Sequence, residues 1–248
     1  MKISIITVTY NSAATLRDTI ESVQNQAYSE LEHILVDGAS TDGTTGIIQS
    51  HAHIQKWLSE RDSGLYDAMN KGLKMADGDI IGILNSDDIY ADNNVLKRVA
   101  AAFADPLIHC VYGDLQYVSS FNTNKIIRTW KAGKFNRKNF LYGWMPPHPT
   151  FFVRKEVYDQ VGLFNTILKS AADYEIMLRI LYRHGYTAAY IPAVLVKMRA
   201  GGLSNASVRN RFRANREDAQ AWKLNDKKPH FFTLYLKPLR KLPQFFKK

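Results

Sequence analysis

The sequence predicts an α/β fold built on a central, mostly parallel sheet, and three observations carry that expectation. Runs of β-branched residues alternate with helix-period segments through the first hundred positions. The first run, residues 3–9 (ISIITVT), has no charged side chain, as expected of a strand covered on both faces. A chain of 248 residues with 46% hydrophobic content is also long enough to bury roughly 70% of its unfolded surface, so a full core needs no staples.

After the first strand, Asn11-Ser12 offers caps for a helix over residues 13–26. The alternation continues with a strand at 31–36 (LEHILV), a helix near 43–51, a short extended piece at 54–58, a helix near 66–76, a strand at 79–84 (DIIGIL) and a helix near 92–104. Beyond residue 105 the signals are mixed. Strands are expected at 108–118 and 126–131, a Pro-rich bend at 145–149 (MPPHP), a strand at 150–154, a helix near 172–184 and a strand at 187–196. Residues 206–225 read as a polar amphipathic helix and 229–248 as a basic, aromatic tail. The expected organisation is a Rossmann-like body over 1–205, divided into halves 1–105 and 106–205, followed by a basic extension over 206–248.

The formal charge of +10 is unevenly placed: residues 1–196 hold 19 Lys/Arg and 20 Asp/Glu, whereas residues 197–248 hold 14 and 3. An anionic partner is therefore expected for the extension and not for the body. Its cations alternate with aromatics at Phe231-Phe232, Leu234–Lys237 and Phe245–Lys248. That pattern suits an anionic membrane surface, where each basic residue contributes on the order of 1 kcal/mol, better than nucleic acid. The single cysteine, Cys110, excludes an intramolecular disulfide and fits a reducing compartment. The opening residues do not read as a signal peptide. The longest apolar stretch, 188–196, falls short of the ~20 residues a spanning helix needs and contains Pro192. A cytoplasmic protein, peripheral on the inner face of the cell membrane, is expected.

Ligands of open α/β sheets collect beyond the carboxyl ends of the strands. Three such ends are polar: Tyr10-Asn11 after the first strand, Asp37–Thr44 (DGASTDGT) after the second, and Asn85-Ser86-Asp87-Asp88 after the strand at 79–84. Singly, each reads equally as turn and cap residues. Together they suggest a site, because adjacent carboxylates at a sheet edge repel unless a cation relieves them, and hard oxygen ligands suit Mg²⁺ or Mn²⁺ bridging to a diphosphate. Neither GxxxxGK[ST] nor GxGxxG is present, so a P-loop ATPase or a dinucleotide dehydrogenase is not supported. A carboxylate such as Asp37 accepts an imino N–H, which uracil, thymine and guanine have and adenine lacks.

Four segments in order, residues 4–11 (SIITVTYN), 37–44, 62–72 (DSGLYDAMNKG) and 84–88 (LNSDD), strongly resemble the family 2 glycosyltransferases of the GT-A fold. The resemblance covers about residues 1–205 and is densest to residue 90. It implies a GT-A glycosyltransferase body with a nucleotide-sugar-binding half and an acceptor-side half, a nucleotide-sugar donor, a divalent metal and inversion at the anomeric carbon. Carried over, it places Thr9 and Asp37 at the base, Asp87 by the ribose or donor sugar, and Asp88 on the metal. The family's acidic base motif resembles Ala172-Asp173-Tyr174-Glu175, making Asp173 the candidate general base; Ala172 stands where a Glu is commoner. Asp173 at a helix start reads alternatively as a cap.

Tyr10, Asn11, Asp42, Asp62, Lys71, Asn85 and Arg199 complete the expected donor site. Asp67 and Lys71, four apart on a helix, also read as a surface ion pair. Residues 198–204 (MRAGGLS) combine a cation with two glycines, as a lid over a diphosphate or a hinge into the tail would. Trp144 and His148, beside the Pro-rich bend, are the acceptor-side candidates. The expected function is metal-dependent, inverting transfer from a UDP-sugar, or a dTDP- or GDP-sugar, to a saccharide or lipid-linked saccharide in cell-surface polysaccharide or glycolipid synthesis. A sugar nucleotidyltransferase and an inactive nucleotide- or sugar-binding module are the alternatives. The former lacks a Gly-rich, cationic phosphate loop after the first strand, and the presence of Asp88 with Asp173 argues against the latter.

Overall fold

The computed structural model describes residues 1–201, 208–240 and 244. The uncharged first run forms β1 (Ile3–Thr9), buried at every position, in parallel register with β2 (Leu31–Asp37) on one side and β4 (Ile80–Ile83) on the other. β3 (Lys56–Ser59) extends the parallel half as its edge. The helices α1 (Leu16–Gln24), α2 (Thr44–Gln49) and α3 (Leu65–Met75) follow from the expected alternation. α3 lies close on β1 because a Cβ at Gly72 would come within 2.3 Å of Ile6 Cγ2, a distance no larger residue tolerates.

The second half is mixed, as the sequence suggests. β8 (Phe152–Arg154) runs antiparallel to β4, β6 (Cys110–Val118) antiparallel to β8, and β9 (Ala188–Arg199) parallel to β6. β7 (Ile126–Trp130) pairs with β6. With β5 spanning Asp88–Tyr90, the order is β3-β2-β1-β4-β8-β6-β9-β5, and β7 lies off this path on β6. The β6–β9 register shifts after Gly113↔Ile191 and resumes at Asp114↔Val194, so the ladder steps around Pro192, which has no N–H to donate.

Several sequence expectations are corrected. Residues beyond Ser86 do not run straight into a helix: β5 (Asp88–Tyr90) first pairs antiparallel with β9, and α4 (Val95–Ala102) is shorter than expected. A helix not foreseen, α5 (Lys155–Val161), follows β8 directly. The single helix expected at 172–184 is α6 (Ala172–Met177) continued by a π-helical turn over Leu178–Arg183. Asn11 and Ser12 do not cap α1. Asn11 takes a positive φ of 49° and clasps the neighbouring loop instead.

The boundary expected at residue 205 is not a break in packing. α7 (Val208–Leu224) buries Ala221 and Trp222 in the same core cluster as β1, β2 and α6, and the Trp222 indole donates to the Tyr174 hydroxyl at 2.9 Å. α8 (Thr233–Leu239) docks on residues 141–142. Among the described residues, no helix is long and apolar enough to cross a membrane.

Candidate active site

The carboxyl ends of β1, β2 and β4 converge, and their following loops form the expected cleft edge. The first loop is tied to the second by side-chain contacts. Asn11 N–H donates to Ser40 Oγ, Thr41 N–H to Asn11 Oδ1 and Ala13 N–H to Asp42 Oδ2. Asp42 also accepts from the Thr44 hydroxyl and N–H, and these bonds hold its carboxyl below the usual range. Asp42, itself exposed, thus fastens the two loops.

Asp37 is fully buried, and its oxygens accept from the Ser40 N–H (3.0 Å), the Ser40 hydroxyl and the Ser59 hydroxyl (2.6 Å). These three bonds hold the loop, and with no exposed surface Asp37 does not itself present a carboxylate to solvent. Asp62 nearby keeps 12% of its side chain exposed. A Cβ at Gly38 would lie 2.9 Å from Asp62 Oδ2 and 3.3 Å from the Tyr10 ring, so both side chains close over a bare glycine. Tyr10 is 66% exposed and offers a flat face, and the Thr9 hydroxyl is buried without a partner. Lys71 pairs with Asp62 (2.7 Å) and Glu60 (2.8 Å), while Asp67 stands 3.8 Å away. Burial opposes its charge, but these carboxylates hold the Lys71 ammonium above its ordinary range. Lys71 therefore fixes the Asp62 loop.

At the end of β4, the two adjacent acids differ sharply. Asp88 is 0% exposed, its Oδ1 has no partner, and Asn85 Nδ2 reaches its Oδ2 at 3.4 Å. Asp87 remains partly open. Burial raises both carboxyls above the ordinary range, and the Asp87 charge raises Asp88 further. Arg199 is not a mobile cation. It lies in β9, buried, bridging Asp18 and the Asp87 carbonyl (2.9 Å), while Ala200 N–H donates to Val118 O. Of the expected lid, residues 202–204 lie outside the described residues, as do Phe245–Lys248 of the tail.

These acids fit a divalent cation because their ionised forms disfavour each other and the partly open Asp87 offers it a carboxylate oxygen. Among the described residues, no three His, Cys, Asp or Glu side chains form a preformed cluster. A cation of the Mg²⁺ kind takes one or two carboxylates and completes its shell with phosphate and water.

Asp173 stands in the first turn of α6, partly exposed, and accepts a 3.2 Å hydrogen bond from the Tyr66 hydroxyl of α3. The Tyr66 ring stacks on Phe164, which meets His148 edge-on. Burial lowers the His148 imidazole, and the Asp173 charge opposes that shift. The Tyr117 phenol is raised by burial, with Arg128 opposing and the Asp88 and Asp173 charges adding to the rise. His148 lies near enough to Asp173 to feel its charge. Trp144 is not an acceptor platform: it is buried among Tyr112, Phe135 and Phe140, with its N–H on Ala132 O at 2.8 Å.

Sequence reasoning missed the support that α7 gives to Asp173. Glu217 Oε2 accepts from the N–H groups of Ser170 (2.7 Å) and Ala171 (3.1 Å), just before α6, and Asn225 Nδ2 donates to Glu175, itself paired with Arg179. A signal existed. Residues 197–248 contain three acids among 14 cations, and two of them are buried, Glu217 at α6 and Asp218 with Lys237, while the exposed Asp226 pairs with Arg183.

The sequence model of Glycosyl transferase family 2 matches residues 4–162. A PGL/p-HBAD biosynthesis glycosyltransferase of Mycobacterium bovis is 31% identical over 215 residues, covering 84% of this chain and 81% of the relative. A putative teichuronic acid biosynthesis glycosyltransferase, TuaG of Bacillus subtilis, is 36% identical over 101 residues, 39% of this chain and 40% of its own. Among solved structures, S. aureus TarS 1–349 in complex with UDP-GlcNAc superposes with a TM-score of 0.73 at 21% identity, covering 98% of this chain and 73% of that one. The mannosyltransferase PcManGT from Pyrobaculum calidifontis, in complex with GDP-Man and Mn²⁺, gives 0.67 at 21% identity, with 97% and 69% covered. These two likenesses establish the GT-A fold.

Proposed function

Because the chain belongs to glycosyl transferase family 2, and is a glycosyltransferase, we propose that it transfers a sugar, with inversion, from a UDP-sugar to a hydroxyl of a saccharide or lipid-linked saccharide, in building a cell-surface polysaccharide or glycolipid. The observation that carries this reading is a pair of partly exposed carboxylates on separate elements, Asp87 in the loop after β4 and Asp173 in the first turn of α6. One acid serves the leaving diphosphate and the other the incoming hydroxyl, as an in-line displacement requires.

Tyr10 stacks on the base, the Thr9 hydroxyl lies beneath it, and the Asp62 carboxylate accepts the imino N–H. Asp87 holds Mg²⁺ or Mn²⁺, with Asp88 behind it as a buried charge; this exchanges the roles the sequence suggests, on the ground that Asp88 has no exposed surface. When bound, the cation neutralises charge developing on the leaving diphosphate. Asn85 orients Asp88, and Arg199 fixes the backbone of Asp87. Asp173 removes the proton of the acceptor hydroxyl, and Tyr66 holds the carboxylate for that task. His148 lines the acceptor side.

The relatives support the biological setting: one is named for PGL/p-HBAD and one for teichuronic acid biosynthesis, and the solved neighbours hold UDP-GlcNAc and GDP-Man with Mn²⁺. Thermal-shift titration with UDP, dTDP, GDP and ADP in the presence of Mn²⁺ tests the donor. UDP should stabilise most, since a ligand that binds only the native state raises stability by mass action. Equal stabilisation by ADP would refute the base assignment.

A further inference from the structure

The outward face of α8 has no use in glycosyl transfer. Thr233 and Lys237, four apart, dock α8 on the body: the Thr233 hydroxyl donates to Leu141 O at 2.5 Å, and the Lys237 ammonium pairs with Asp218 at 2.6 Å over the Tyr174 ring. On the other side, Phe231 in the turn leading in, Tyr235 and Leu239 follow at four-residue intervals and are 88%, 70% and 54% exposed. At that spacing they form one stripe. Tyr142, half exposed, stacks on Phe232 and widens it.

The charge around this stripe has one sign. Lys227 and Lys228 precede it and Arg240 follows it, all exposed, whereas Glu217 and Asp218 are turned inward to Ser170 and Lys237 and the exposed Asp226 is paired with Arg183. Large exposed apolar side chains in register are uncommon on a soluble surface without a partner. Aromatic and aliphatic side chains rimmed by cations match a bilayer interface, where rings settle at headgroup depth and cations meet anionic lipid.

We propose that this face of α8, with Tyr142, seats the protein on an anionic lipid bilayer. The occupant is the lipid surface, because among the described residues cations outnumber acids around the stripe and a second copy would bring the same cations against them. The face lies on the helix layer that braces Asp173 through Glu217, so seating it would bring the acceptor side of the cleft near the membrane.

Co-sedimentation of the full chain with vesicles of phosphatidylcholine, alone or mixed with phosphatidylglycerol, tests this. The protein should pellet with the mixed vesicles, weakly with the neutral ones, and less at high salt. The triple substitution F231S/Y235S/L239S should lower partitioning by about tenfold or more, with its melting temperature and UDP binding unchanged. K227E/K228E should weaken binding to anionic vesicles only, and this second variant decides the matter if the first fails to fold. Undiminished binding by both variants, equal binding to both vesicle types, or a wild-type dimer that the triple substitution turns to monomer would overturn the proposal. None of these readouts depends on sugar transfer, so its failure is separate from that of the enzymatic reading.

Discussion

The Tyr66 hydroxyl donates to Asp173 Oδ1 at 3.2 Å, joining α3 of the nucleotide-side half to α6 of the acceptor side across 107 residues of sequence. Tyr66 is held by its stack on Phe164, and burial with the Asp173 charge raises its phenol above the ordinary range, so it stays a donor. With Ala172 preceding Asp173 and no carboxylate there to position it, the phenol performs that service. Tyr66→Phe keeps the ring and removes the bond. The rate should fall about tenfold, the worth of one bond to a charged group, while the donor dissociation constant stays the same. A rate matching wild type would exclude the role.

Asp87 and Asp88 should separate in a metal titration. Both carboxyls are raised in the folded chain, so their protonated forms favour folding, and that stability is lost as pH rises through the folded values. A bound cation relieves this cost. Stabilisation by Mn²⁺ with UDP, read by thermal shift, should therefore grow with pH above the ordinary carboxylate range. Asp87→Asn should abolish the Mn²⁺ increment with the free protein intact. Asp88→Asn should leave the metal-free protein as stable or more so, since it removes a buried repulsion. An increment that survives in Asp87→Asn would return the metal to Asp88.

Asp37 and Asp62 should divide stability from affinity. Asp37→Asn strands the Ser40 and Ser59 donors and should cost on the order of 1–3 kcal/mol in unfolding free energy. Asp62→Asn exposes no buried group and should instead weaken UDP binding about tenfold by calorimetry, in keeping with one lost charged hydrogen bond. Loss of UDP affinity in a stably folded Asp37→Asn would reverse this division.

On the far side of β2, His33 is buried with Thr7 at 3.0 Å on one nitrogen, its ring against His53, which also meets His51. Burial, reinforced by the two neighbouring imidazoles, lowers it from 6.5 to about 3. Below pH 6.5 the unfolded chain binds a proton that the folded chain refuses, so stability falls by about 1.4 kcal/mol per pH unit towards pH 3. Urea unfolding across that window should show the slope, and His33→Gln should flatten it. An equal slope in the variant would assign the acid sensitivity elsewhere.

The parallel half was legible because its signals are local. β1, β2 and β4 announce themselves as short apolar runs, and their polar ends point to Tyr10, the Asp37–Thr44 loop and Asp87 without reference to the rest of the chain. What depends on distant contact was not. Nothing in the order Asp87-Asp88 tells which carboxyl turns inward, since that follows from the pairing of β5 with β9. Nothing local tells that Asp37 is fully buried and bonded by Ser40 and Ser59. Trp144 beside prolines reads as exposed until β6 and the turn at Arg137–Tyr142 close on it. The run 206–225 reads as a detached polar helix because a single side of it, carrying Glu217, Ala221 and Trp222, meets the body.

The central claim is that Asp173 is the general base of transfer, and metal-dependent hydrolysis of bound UDP-sugar tests it without knowledge of the acceptor, water taking the acceptor's place. In Asp173→Asn, single-turnover hydrolysis of whichever UDP-sugar the wild type turns over should fall by about 10²–10⁴, the usual contribution of a positioned base, while UDP affinity and the Mn²⁺-dependent thermal shift hold at wild-type values. Hydrolysis at the wild-type rate in a variant that binds UDP normally would contradict the account.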